Sequence, residues 1–385
     1  MQLCNLKIIE SDELVNIEVS GEKINNITRY TGNKNFKTCN TFFFEDAIAF
    51  PGLINSHDHL DFNLFPQTGN QVYNNYTEWG EDIHARNKVI IQAVLKIPQP
   101  LRTEWGLYKN LLNGVTTVVN HGERLHINNK VISVLQNNYS LHSVQFEKKW
   151  KLKLNNLFKN NQPFVIHIGE GTDKASHDEI DELIKWNLLR RKIIGVHGVA
   201  MDEDQAKAFQ ALVWCPASNN FMFNASAPID ELKTKTTILF GTDSTLTSSW
   251  NLWEHLRYAR DTLLMTDGEL FDALTQSAAM IWKQNNIALI TANKQADIIV
   301  ANSNGKTSYD AFYSLNPEEI QLILHKGKIR LFDEVIKDQL IDISFTAFSK
   351  IAINGKVKYV YGDVQALMND ILSYYPDAAF PISVL

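Results

Sequence analysis

The sequence predicts a mixed α/β chain, a (β/α)8 barrel with strand-rich segments at both ends, and three observations predict it. Between Pro51 and about Asn286, strand-like apolar runs alternate with helical patterns. Such alternation gives parallel strands joined by crossover helices, and a chain of 385 residues has the length for a barrel. The first fifty residues and the segment from 291 to 385 read instead as strands and hairpins. Third, several of the central apolar runs end on a histidine or an aspartate, where barrel enzymes place their chemistry.

In chain order, Leu6–Ile9, Leu14–Val19 and Lys23–Arg29 are β-leaning runs, the last two joined by a Ser20-Gly21-Glu22 turn. Phe50–Ser56, Val115–Val119, Leu141–Phe146, Phe164–Ile168, Ile193–His197, Leu212–Cys215 and Thr237–Gly241 are the central strand candidates. These are seven, so one barrel strand is missing, irregular or hidden between Gly122 and Ser140. Glu179–Arg190, Glu203–Ala211 and Asn251–Leu264 carry the clearest helical patterns. Strands return at Ala296–Val300, Ile320–Leu324, Lys328–Leu331, Lys350–Ile353 and Val357–Tyr361, with Asn354-Gly355 as a strong hairpin signal. The expected division is a barrel over residues 51–290 and a flanking β unit from 1–50 plus 291–385.

The chain is 44% hydrophobic and 21% charged, as a soluble globular protein is, and its net charge is −6. No basic block stands out, which argues against nucleic-acid and anionic-membrane partners. The start lacks a basic segment followed by an apolar one, so no signal peptide is expected, and no run is long enough to span a bilayer. Cys4, Cys39 and Cys215 are an odd, widely spaced set. They suggest buried structural thiols in a reducing cytoplasm rather than a disulfide framework.

The most informative stretch is Ala47 through His59, where an apolar run and Pro51-Gly52 lead into His57-Asp58-His59. Side chains alternate along a strand, so the two imidazoles share one face and Asp58 points away. His167, His197 and Asp243 also close apolar runs. Three imidazoles and a carboxylate meeting at one mouth could hold a first-row metal ion with room left for water. Each residue also has a plainer reading: a satisfied core histidine for His57, His59 or His197, or a salt-bridged loop residue for Glu170. His121 ends a strand and reads as slightly more structural than functional. His84, His126, His142, His177, His255 and His325 read as surface or packing residues. Phe62, Phe65 and Trp79 lie on a stretch read as a long loop, and more readily pack locally than stack on a substrate. Ser218 and Asn219 read as braces for the loop after the seventh strand.

Taken together, Pro51-Gly-Leu-Ile-Asn-Ser-His-Asp-His59, Gly114-Val-Thr-Thr-Val118, His167-Ile-Gly-Glu170, His197, Cys215-Pro-Ala-Ser-Asn219 and Gly241-Thr-Asp-Ser244 resemble the amidohydrolase superfamily. They most resemble the branch of cytosine and guanine deaminases, S-adenosylhomocysteine deaminases and triazine chlorohydrolases. The resemblance spans nearly the whole chain and implies a composite β-sandwich formed by both chain ends. It implies one divalent ion, zinc first with iron or manganese as alternatives, held by His57, His59, His167 and Asp243. It further implies that Asp243 takes a proton from the attacking water, that Glu170 shuttles protons to a ring nitrogen or leaving group, and that His197 hydrogen-bonds the nucleophile or polarises the intermediate. The implied substrate is a small molecule, a nitrogen heterocycle attacked at an sp² carbon, and relatives are often homo-oligomers. A cyclic or linear amide hydrolase and a decayed ligand-binding barrel are the rival expectations. Three features depart from the pattern: the short segment between Val119 and Phe164, Asn120 at a commonly acidic position, and Leu60–Pro66 after the histidine pair. Binuclear relatives take a bridging residue from the fourth strand, where Glu147 and Lys148 follow the only visible strand, but the in-line Glu170 favours a single ion.

Overall fold

The computed structural model describes residues 1–9, 11, 13–32, 41–128, 131–159, 162–341 and 344–385. The chain opens with β1 (Gln2–Ile8), β2 (Leu14–Ser20), β3 (Lys23–Arg29) and β4 (Thr41–Pro51). Next come β5 (Leu53–Asp58), β6 (Val115–Asn120), β7 (Ser133–Leu135), β8 (Tyr139–Ser143), β9 (Phe164–Ile168), β10 (Ile193–His197), β11 (Ala211–Trp214) and β12 (Thr237–Phe240). The last are β13 (Ile298–Asn302), β14 (Ile320–His325), β15 (Lys328–Asp333), β16 (Phe348–Ile353), β17 (Lys356–Tyr361) and β18 (Ser383–Val384).

One ten-stranded sheet draws on both chain ends, in the order β18-β16-β17-β15-β14-β13-β4-β1-β2-β3. Within it β4 pairs parallel with β1 and antiparallel with β13. Alternating apolar residues such as Leu3, Ile17, Phe42, Ile298, Leu322 and Phe332 bury one face. The central strands form two parallel sheets, β5-β6-β7 and β8-β9-β10-β11-β12. Most are buried on both faces, which is why they read as continuous Val/Ile-rich runs. The outer strands of these sheets approach through a parallel bridge between Asp58 and Asp243, and the Thr242 and Asp243 amides both donate to the His57 carbonyl at 3.1 Å.

The segment between Gly122 and Ser140 contains a short strand, β7, of three half-buried residues, which pairs parallel with β6. Between β5 and β6 lie three helices the sequence pattern did not reveal: Tyr76–Arg86, Lys88–Leu95 and Gln99–Leu112. Trp79 therefore sits on a helix, not on a loop. The first of them starts at Asn75, whose side chain accepts from the Glu78 amide at 2.9 Å. The helix expected at Glu179–Arg190 spans Lys174–Trp186 and is capped by Asp173. The one expected at Glu203–Ala211 is a single turn, Glu203–Ala206, before the chain enters β11. No helix among the described residues is long and apolar enough to cross a membrane. Cys4 and Cys215 are buried free thiols, and burial pushes both up. Cys39 lies outside the described residues.

Candidate metal centre and its cavity

His57 and His59 reach the centre because β5 carries one extra residue. Its register on β6 runs Asn55 to Val118 and then Asp58 to Asn120. Such a bulge re-aims the side chains that follow it. Before it, Ile54 joins the apolar cluster of Val119, Val165, Val196, Val213 and Leu239. After it, the odd-numbered histidines turn to the mouth of the same strands. On β10 a similar problem is solved by backbone geometry. Ile194 and Val196 belong to that inner cluster, so regular pleating would send His197 to the other side. His197 instead has φ of 75°, and Asp243 has φ of 57°, left-handed conformations that non-glycine residues keep only where the surroundings enforce them. Gly241 is required by a close approach, since a Cβ there would lie 2.7 Å from His57 Cβ and 2.8 Å from Val213 Cγ1.

The ligand atoms converge. His57 Nε2 is 3.2 Å from His167 Nε2 and 3.7 Å from Asp243 Oδ1, and His59 Nε2 is 3.6 Å from the same oxygen. Ligands bonded at about 2.0–2.1 Å to a tetrahedral ion stand roughly 3.4 Å apart. The spacings among His57, His59 and Asp243 match that, while His167 groups closely with His57 and His121 rather than with His59 and Asp243, so His57 is shared by two adjoining groups. Burial, reinforced by the neighbouring imidazoles, pushes His59 down to about 4 and His167 well below the usual range. Both rings are therefore neutral at pH 7 and have a lone pair to offer. Burial works to raise the Asp243 carboxyl, but the imidazoles of His57, His59 and His197 outweigh it and hold the group well below the usual carboxylate range. Its other oxygen, Oδ2, lies 2.8 Å from both the Ser218 and Thr247 hydroxyls, which fixes Oδ1 toward the histidines.

Two residues stand closer to the centre than their sequence context indicated. His121 stacks on His167 at 4.3 Å and forms a second close group with His57 and His167. Its Nε2 meets the Leu141 carbonyl at 3.1 Å. His142 lies at the end of β8, lines the cavity and packs edge-on to His167 at 5.2 Å. His84 lines the cavity too, and both His84 and His142 are exposed, as surface residues are. Glu147, by contrast, turns to Lys153 and takes no place in the cavity wall. Of the two braces, Ser218 holds Asp243, and Asn219 Oδ1 sits 2.8 Å from His197 Nδ1. With that nitrogen donating, His197 presents the lone pair of Nε2, which lies 3.4 Å from Glu170 Oε1. Burial, then the negative charges of Asp243 and Glu179, push the Glu170 carboxyl well above its ordinary range, which favours its protonated form.

Behind the histidines, Asp58 anchors the strand end. Its carboxylate takes Lys109 Nζ at 3.0 Å, Asn110 Nδ2 at 2.9 Å and Asn63 Nδ2 at 2.7 Å, and Lys109 also reaches the Thr242 hydroxyl at 3.0 Å. All of these residues are buried. Lys109→Met leaves a buried carboxylate without its cation, so it should cost about 3–5 kcal/mol and lower the urea midpoint. Asp58→Asn added to it should recover much of the loss; no recovery would mean that the pair does not act as a unit.

Glu179, on the helix Lys174–Trp186, supports the loop that carries Glu170. Its Oε1 accepts from the Gly169 amide at 2.9 Å, and burial pushes its carboxyl up to about 7. A proton is thus held more tightly folded than unfolded. The resulting stability is fully present below the ordinary value of 4.5 and is lost as pH rises through about 7. From pH 4 to pH 8, wild type should lose roughly 3 kcal/mol relative to Glu179→Gln. Parallel urea titrations of the two proteins check this, and pH-independent separation would refute it.

The cavity above the ligands has a volume of about 650 Å³. His59, His167, Glu170, His197 and Asp243 line one end, and the rest combines aromatic and aliphatic side chains with the polar Thr77, Glu81, His84, His142, Ser244 and Thr247.

Neither a protein-family model nor a curated protein matches the sequence. Solved structures do match the fold. An atrazine chlorohydrolase from Arthrobacter aurescens TC1, complexed with zinc, superposes with a TM-score of 0.69 at 15% identity, covering 97% of this chain and 99% of that one. An adenosine deaminase from Xanthomonas campestris with bound zinc gives 0.69 at 15% identity, covering 97% and 98%. A guanine deaminase from C. acetobutylicum with guanine in its active site gives 0.63 at 12% identity, covering 85% and 99%. The chain therefore shares its fold, nearly end to end, with deaminases and a triazine chlorohydrolase of the branch that its motifs resemble.

Proposed function

We propose that this chain is a metal-dependent hydrolase that replaces an amino group, or a comparable leaving group, on an sp² carbon of a nitrogen heterocycle. The observation that carries the proposal is the close group of His57 and His59 nitrogens with Asp243 Oδ1, with His167 Nε2 3.2 Å from His57 Nε2 and the buried Glu170 lining the same end of the cavity. A divalent cation held there, zinc by preference with iron or manganese as alternatives, lowers the pKa of water to about 7 and so supplies the nucleophile at neutral pH.

The remaining steps belong to the protein. Asp243, its Oδ2 fixed by Ser218 and Thr247, accepts the proton released from water through Oδ1. Glu170 donates its proton to the ring nitrogen next to the attacked carbon, which makes that carbon more electrophilic. The C–O bond forms, the C–N bond breaks, and the amine leaves as ammonia with a proton passed from the Asp243–Glu170 pair. His197, oriented by Asn219, keeps Glu170 aimed into the cavity. The apolar walls exclude bulk water and so strengthen each of these charge interactions.

In this reading β5–β12 act as the eight strands of one barrel, and the ten-stranded sheet forms part of the sandwich unit made of residues 1–50 and 291–385. The buried free thiols of Cys4 and Cys215 support a cytoplasmic setting. A panel of amino- and halo-substituted heterocycles, incubated with metal-replete protein, tests the activity. Release of ammonia or halide is the expected result. Turnover of cyclic amides without either product would replace this reading with amide hydrolysis.

A further inference from the structure

We infer that the substrate's ring carries a sizeable uncharged, apolar substituent, and that phosphorylated or carboxylated versions of the same ring are excluded. The inference rests on the hydrolase reading and deepens it. A cavity of about 650 Å³ has the size of a pocket for a drug-sized ligand, and a bare one- or two-ring heterocycle fills only part of it. Phe62, Phe65 and Trp79 form walls beyond the ligands, and Ile83, Ile91 and Phe146 extend them outward. Phe62 stacks on His59 at 5.5 Å, so the aromatic wall begins directly at the metal ligands.

Charge settles the sign of the selection. Among the described residues no lysine or arginine lines the cavity, while Glu81, Glu170 and Asp243 do. A phosphate or carboxylate on the substituent, away from the metal ligands, would lose its water and meet no lysine or arginine. The outer rim continues the apolar surface: Leu95 is 50% exposed and Phe146 53% exposed. Both leave hydrocarbon facing the opening, where an alkyl, thioalkyl or aryl group on the ring would cover it.

The test compares adenine, 9-butyladenine and 9-(3-carboxypropyl)adenine, and the same three substituents on a diaminotriazine core. Ammonia release by metal-replete enzyme is measured, together with calorimetric binding of all six compounds. Burial of each methylene is worth about fourfold. The butyl compounds should therefore exceed the unsubstituted rings by about 10²-fold in kcat/KM or in affinity, and the carboxypropyl compounds should fall below the butyl ones by a similar factor. Phe146→Lys should reverse the order of butyl and carboxypropyl. Binding without turnover, with the butyl preference intact, would overturn the hydrolase reading and leave the apolar preference standing. Equal or better use of the carboxylates by wild type, or no binding of any compound, would overturn the inference itself.

Discussion

Asp243→Asn abolishes turnover while the fold survives. The side chain is buried and keeps its shape in the variant, and its amide oxygen can still accept from Ser218 and Thr247. Two things are lost together. The proposed anionic ligand disappears from a centre whose other donors are imidazoles, and the acceptor for the proton of water disappears with it. Proton transfer alone is worth about 10²–10⁴ in rate, so the combined loss should exceed roughly 10⁴-fold in kcat/KM. Unchanged circular dichroism with no detectable product is the expected pair of results. Equal activity in the two proteins would remove Asp243 from the mechanism.

Glu170→Gln is the second large effect and differs in kind. Because burial raises the Glu170 carboxyl well above its ordinary range and favours the protonated form, the amide preserves the charge and volume of that form and removes only the transferable proton. Metal content should stay at the wild-type level while kcat falls by about 10²–10⁴, with a much smaller change in KM. The sign of the pH effect follows from the raised value. The proton donor is intact at low pH and is lost as pH rises through its elevated pKa. The alkaline decline that Glu170 contributes to wild type should then vanish from the residual activity of the variant. A kcat within tenfold of wild type would assign Glu170 to structure.

Much of the centre was legible because strand ends advertise it. His57, His59, His167 and Asp243 each follow an apolar run that has no packing reason to end on a polar group; the structure groups His57 closely with His59 and Asp243, and sets His167 against His57 and His121. His121 and His142 were harder. His121 also ends a strand, but its neighbours Asn120 and Gly122 give it no motif, and only tertiary packing puts it against His167. His142 sits on a five-residue strand whose pattern, partly exposed, hides which face looks inward.

The helix Gln99–Leu112 escaped for a physical reason. Lys109 and Asn110 occupy its buried side because they serve Asp58, so polar residues interrupt the apolar stripe that would announce a helix. The short β7 carries too few residues for any period to show. The turn at Glu203–Ala206 was read too long because Gln210 and Ala211, which already lead into β11, continue the helical composition. The bulge in β5 and the left-handed backbone at His197 have no sequence signature. They arise where packing overrides local preference, and both occur at the proposed site, where strain is most often kept.

Metal content of the purified, metal-replete protein, measured by elemental analysis alongside His57→Phe and Asp243→Asn, tests the central claim most directly. About one tightly held divalent ion per wild-type chain, with markedly less in both variants, is the result expected of a single ion held by three imidazoles and a carboxylate. A wild-type chain that retains no metal after dialysis, or variants that retain as much as wild type, would contradict it.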